Sequence, residues 1–156
     1  MSETYLDELA ELCPHLRELS DDGLRRLMEL HRDIGWRCHE LGNARFEEGS
    51  EHFFAYAFEE VTGRTIMHGE LVAIGVLIMS TLQHNRPERA RAIVDASGMR
   101  STLIQLGIAT SEIEASLRRL PTFVAEQRLW YSFANDLVVG EHELTLARQA
   151  VGAEPT

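Results

Sequence analysis

The 156-residue sequence is poor in several things, and each scarcity excludes a class of protein. Two cysteines, Cys13 and Cys38, cannot supply a secreted disulfide framework, and reduced thiols fit a cytoplasmic protein. Basic residues are few: 15 Lys and Arg face 25 Asp and Glu, for a formal net charge of -10. Such a surface repels phosphate backbones and anionic membranes, so neither nucleic acid nor a membrane is an expected partner. No long hydrophobic run exists. The longest, Leu71 to Met79, is far short of the roughly 20 residues that cross a bilayer. It reads instead as a helix buried on nearly all sides. The N-terminus, MSETYLDELAELCPHLREL, lacks a basic segment followed by an apolar one, so no signal peptide is expected. There is no GxGxxG after a strand, no Walker loop and no Gly-x-Ser-x-Gly elbow. No Glu is followed three residues later by His, which removes the ligand pair of di-iron bundles.

What remains is helix. Hydrophobic residues make up 44% and charged residues 26%, enough for a packed core, with disorder expected only at ends such as Gly152 to Thr156. Apolar spacings of three and four dominate, and no segment alternates with period two. Leu6, Leu9 and Leu12 predict a short helix interrupted near Pro14. Ser20 can cap a second, whose stripe is Leu24, Leu27, Met28, His31, Ile34, Cys38 and Leu41, ending at Gly42. Ser50 can cap a third that Gly63 ends, with Phe54, Phe58 and Val61 on one face. A fourth starts about His68 and reaches Gln83 or Asn85. Pro87 opens a fifth and Gly98 stops it. Ser111 and Glu114 read as a capping box for SEIEASLRRL. Pro121 closes that helix and can open the next, TFVAEQRLWYSFA. A last helix covers about Glu141 to Ala150. The expected class is all-α, one helical domain over residues 1–156.

Two histidines stand out, because His52 and His68 both fall where a helix begins. Were the helices joined by a tight hairpin, the ten residues from His52 to Thr62 would separate the rings by ~15 Å. The connector from Gly63 to His68, extended, spans ~17 Å and can walk back along the helix. Arg64-Thr65-Ile66-Met67 contains a β-branched pair suited to that path. Both rings would then sit at helix N-termini, where the dipole disfavours imidazolium and leaves the neutral form that ligates metals. Gly49 and Gly69 leave room beside the backbone. On spacing alone, either histidine could equally be a helix-start residue bonded to backbone. His15, His31, His39, His84 and His142 are scattered, Glu59 and Glu60 read as solvated, and Trp130 and Tyr131 read as core.

The segments GSEHFFAYAFE and HGELVAIGVLIMS resemble the helical C-terminal domain of a dehydrogenase superfamily. Its members include glycerol-1-phosphate dehydrogenase, glycerol dehydrogenase, iron-containing alcohol dehydrogenase and dehydroquinate synthase. The order of the two motifs, Gly75 in the buried helix, and the run GMRSTLIQLGIATSEIEASLRRLP then EQRLWYSF extend the resemblance over roughly residues 20–145. It implies that His52 and His68 bind Zn2+ or Fe2+, and that the ion polarises a substrate oxygen during hydride transfer with NAD(P). It also marks what is missing. The N-terminal nucleotide-binding domain, with its NAD(P) site, and the helix carrying the family's acidic ligand have no counterpart here. Asp7, Asp22 and Asp33 are weak substitutes. The chain thus carries half a site, with no catalytic residue of its own assigned. The expected function is the C-terminal, metal-binding part of an NAD(P)-dependent polyol or glycerol-phosphate dehydrogenase, inactive without an N-terminal nucleotide-binding partner. The alternative is a non-catalytic interaction or regulatory module, partnered by another protein or by its own copies. Reuse of the pocket for a different metal-assisted reaction has no positive support.

Overall fold

Helical periodicity runs through nearly the whole chain, and the computed structural model, which describes residues 2–152, is all-α. Among the described residues there are nine helices and no strand. They are α1 (Ser2–Arg17), α2 (Asp21–Leu41), α3 (Ser50–Thr62), α4 (His68–Leu82), α5 (Pro87–Ser97), α6 (Leu103–Leu106), α7 (Thr110–Glu126), α8 (Phe133–Asp136) and α9 (Glu141–Ala150).

The core forms around α3 and α4. α3 lies against α7 and α4; α4 also takes α5 and α9; α1 packs on α5 and α2. Phe53, Phe54 and Phe58 of α3 are buried together with Leu71, Ile74 and Ile78 of α4 and Ile113, Leu117 and Leu120 of α7. Each such side chain contributes about 1.5–3 kcal/mol on burial, so these three helices dominate the stability and fix the frame of the site. The α3–α4 crossing is close because position 75 has no side chain. A Cβ on Gly75 would lie 3.1 Å from both the carbonyl carbon and the Cα of Glu51. Among the described residues no helix is long and apolar enough to cross a membrane.

Several helix ends follow local chemistry. Ser20 caps α2, its hydroxyl accepting from the Gly23 N–H at 3.1 Å, and Gly42 ends the helix in the left-handed region. Pro87 opens α5 and Gly98 ends it. α9 occupies Glu141–Ala150, as the spacing predicts.

Other ends depart from expectation. α1 continues through Pro14 to Arg17, and α7 continues through Pro121 to Glu126. Leu120, Phe123 and Val124 stay buried across that proline. Their burial outweighs the roughly 3 kcal/mol that an interior proline costs. No new helix therefore opens at 121: residues 127–132 leave helix, and only Phe133–Asp136 returns to it. Ser111 and Glu114 are not a capping box. α7 starts earlier, at Thr110, and Glu112 accepts from the Ala109 N–H at 2.7 Å while Glu114 pairs with Arg148. Ser50 is the first, buried residue of α3 rather than its cap, which is Gly49. Val61 is exposed, as are Trp130 and Tyr131, which therefore lie outside the core. α2 buries only Gly23 and Leu30, and leaves Leu24, Met28, His31 and Leu41 of its stripe exposed, as is Trp36 outside the stripe. Of the disorder expected over Gly152 to Thr156, only Gly152 is described, in a turn where its N–H donates to the Gln149 carbonyl at 3.3 Å; 153–156 lie outside the described residues.

Candidate metal centre

The two histidines converge. His52 is the third residue of α3 and His68 the first of α4, and their ring centroids lie 5.3 Å apart. The convergence is made by the connector at 63–67, which has no regular structure and returns along α3 instead of turning tightly. Gly63 starts that return at φ 63°, a left-handed conformation that costs glycine little. Arg64 then pins the connector. Its guanidinium donates to the Gly107 carbonyl at 3.0 Å and to both carboxylate oxygens of Glu112 at 2.8 and 3.0 Å.

Three neighbours shape the pair. Glu51 lies beside His52, with its Oε1 3.2 Å from Nδ1. The same oxygen accepts from the Gly49 N–H at 2.9 Å. Burial pushes the Glu51 carboxyl up, but hydrogen bonds from His52, from its own backbone N–H and from Gly49 more than offset this and hold it below the usual carboxylate range. A proton on Nδ1, donated to Glu51, leaves the Nε2 lone pair for a ligand. Tyr56 sits one turn after His52, its ring 6.4 Å from that of His52 and 6.0 Å from that of His68, nearly parallel to the latter. Its hydroxyl donates to Glu48 at 3.3 Å. The room expected beside Gly49 is taken by the Glu51 carboxylate, and the space beside Gly69 is bordered by Met99.

This donor set suits two positions of a divalent ion and not three. Zinc–imidazole bonds of about 2.0–2.1 Å require donor nitrogens within roughly 4 Å of each other, a separation that ring rotation reaches from centroids 5.3 Å apart. Among the described residues no group of three or more His, Cys, Asp or Glu is placed to hold an ion. The acidic substitutes are engaged elsewhere: Asp7 pairs with Arg89, Asp22 with Arg25 and Asp33 with Arg32. His15, His31, His39, His84 and His142 are exposed and apart from the pair. Sequence reasoning did not single out Glu51, Tyr56 or Arg64. Tyr56 was the most accessible of these, since it follows His52 at the helical spacing of four.

No protein-family model matches the chain. Among curated proteins it is 30% identical over 119 residues to a glycerol-1-phosphate dehydrogenase of Thermoplasma volcanium, covering 76% of the chain and 34% of that relative. It is 34% identical over 95 residues to that of Saccharolobus solfataricus and 30% over 96 residues to that of Aeropyrum pernix, each match covering 27% of the relative. The chain thus spans about a quarter to a third of the length of the curated relatives it matches. Over the matched part it is a homologue of the glycerol-1-phosphate dehydrogenases, consistent with a C-terminal domain of that superfamily.

Proposed function

We propose that this chain is the metal-binding, C-terminal part of an NAD(P)-dependent polyol or glycerol-phosphate dehydrogenase. The observation that carries the reading is the 5.3 Å approach of His52 and His68 at adjacent helix starts, in a homologue of enzymes named as NAD(P)+ glycerol-1-phosphate dehydrogenases. The two imidazoles supply two ligands to a zinc or ferrous ion, and the third donor comes from outside the described residues. When bound, such an ion acts as a Lewis acid on a substrate hydroxyl oxygen. Glu51 fixes the ring plane and proton of His52, and the connector tied down by Arg64 fixes His68. The nicotinamide is held by an N-terminal nucleotide-binding part, on the same or a separate chain, without which there is no turnover.

Equilibrium dialysis against Zn2+ tests the ligands. Wild type takes up one ion per chain, and His52→Ala and His68→Ala each weaken uptake at least about tenfold. Equal uptake by all three proteins sinks the assignment. The coupling is tested by NAD(P)+ reduction with glycerol-1-phosphate: this chain is silent alone and active after an N-terminal part is supplied. Robust turnover by the chain alone contradicts the reading.

The exposed apolar side chains of α2, Leu24, Met28, Trp36 and Leu41, favour a second reading, a non-catalytic interaction module. Sedimentation decides it. A strict monomer at high concentration that also binds Zn2+ through both histidines counts against this alternative.

A further inference from the structure

The connector at 63–67 places the backbone of His68 but not its ring. His52 is tied by a polar contact, its Nδ1 lying 3.2 Å from Glu51 Oε1. His68 has no hydrogen-bond partner among the described residues, and it is exposed. Ligating imidazoles usually owe their orientation to a bond on the second ring nitrogen, so His68 must be oriented by something else. Its place in the helix does not do it. His68 opens α4, and no preceding turn narrows its χ1 choice as happens inside a helix. Three χ1 wells and two ring placements in each leave an unsupported imidazole roughly six orientations. What does meet the ring is aromatic: His52 at 5.3 Å and Tyr56 at 6.0 Å between centroids.

We propose that Tyr56 is a positioning residue for His68, its phenol ring backing the imidazole and selecting the orientation that converges on His52. This rests on the reading of the two histidines as metal ligands. The planes of Tyr56 and His68 lie within 18° of parallel, at a spacing typical of offset aromatic pairs. Tyr56 is itself well held. It sits between the buried Ala55 and Ala57 of α3 and packs on the core. Its hydroxyl donates to Glu48, in the link ahead of that helix, at 3.3 Å. Order therefore passes from the α3 frame and Glu48 through the phenol to an imidazole that has no polar anchor of its own. The two histidines are supported by different means: a carboxylate for His52, an aromatic face for His68.

Two measurements on the full chain test this. Three-bond couplings and ring-to-ring nuclear Overhauser contacts in the metal-free protein read the His68 rotamer directly. Equilibrium dialysis against Zn2+ reads its consequence. Wild type and Tyr56→Phe hold His68 in one χ1 well. Tyr56→Leu keeps apolar bulk and helix propensity but has no ring, and lets His68 average, while Glu51 keeps His52 in one rotamer in all three proteins. With one of about six orientations competent, zinc affinity falls roughly sixfold in Tyr56→Leu, and Tyr56→Phe stays within about twofold of wild type. Should Tyr56→Leu not fold, Tyr56→Met removes the ring in the same way. An averaged His68 ring in wild type overturns the proposal, as does a single His68 rotamer without a ring at position 56. Wild-type zinc affinity in Tyr56→Leu also overturns it, and leaves the metal reading standing if both histidines are still needed for uptake. Zinc uptake indifferent to both histidines sinks the metal reading instead; a rotamer that still depends on Tyr56 then upholds the positioning.

Discussion

Adding one methyl group at Gly75 should destabilise the molecule, although alanine is the better helix former. In an open helix, Gly→Ala is favourable by about 0.8–1 kcal/mol. Gly35 in α2 provides that reference, since the nearest atom to a Cβ there is the Glu47 Oε1 at 4.0 Å. At Gly75 the same Cβ would meet the backbone of Glu51, with two carbons at 3.1 Å, well inside the roughly 3.5–4.0 Å of ordinary contact. Backbone cannot swing away as a side chain can, so α3 and α4 must separate. Overpacking of this kind costs about 1–3 kcal/mol. Gly35→Ala should therefore gain stability, and Gly75→Ala should fall below it by that difference. At about 2–4 °C per kcal/mol for a chain this long, the two melting temperatures separate by roughly 2–12 °C. Thermal unfolding followed by circular dichroism measures it. A consequence should accompany the shift. Glu51 adjoins His52, so parting the helices draws His52 from His68, and zinc affinity should fall in Gly75→Ala but not in Gly35→Ala. The reasoning fails if Gly75→Ala melts at or above Gly35→Ala.

Other expectations test separate parts. Arg64→Ala should lower zinc affinity by about 10–100-fold, the range for lost outer-shell support, with helical content kept; an unchanged dialysis curve would show that the connector holds its path without this anchor. Arg100 donates to both oxygens of Glu70, at 2.7 and 2.6 Å, and this pairing holds the Glu70 carboxyl below the usual carboxylate range. A depressed acid contributes stability above its unfolded value of about 4.3, which is lost as pH falls through the lower folded value. Glu70→Gln should accordingly flatten the acid limb of a urea-midpoint-against-pH curve, and a limb of unchanged slope would refute the pairing. Pro121→Ala restores an N–H inside α7 and should raise stability by about 1–2 kcal/mol; a loss would mean that the proline bend is needed for packing.

How much of this was legible from residues alone depended on whether a signal was local. Ser20, Gly42, Gly63, Pro87 and Gly98 marked helix ends because caps and left-handed positions depend on a few neighbouring atoms. Pro14 and Pro121 misled because the continuation of each helix is decided by side chains buried on both sides of the proline. Glu112 was passed over in favour of Ser111 and Glu114, since its second partner, Arg64, is distant in sequence. The stripe on α2 was correctly periodic yet largely uncovered, because periodicity reports what a helix could bury and not whether a neighbour arrives. The convergence of His52 and His68 could be reckoned from connector length. Glu51 and Tyr56 acquired meaning only once the rings had positions.

The return path at 63–67 reverses a common rule about where chains tolerate change. Surface links usually absorb insertions because their ends stay put whatever their length. Here the span itself measures out the distance back along α3, so one added residue offers about 3.3 Å of surplus chain, comparable with the whole gap between the imidazoles. Engineering that lengthens this link should uncouple the rings while leaving the aromatic interior intact, whereas the start of the link after α2, at 42–44, ahead of the Glu48 and Gly49 contacts to Tyr56 and Glu51, is the safer place to graft a tag.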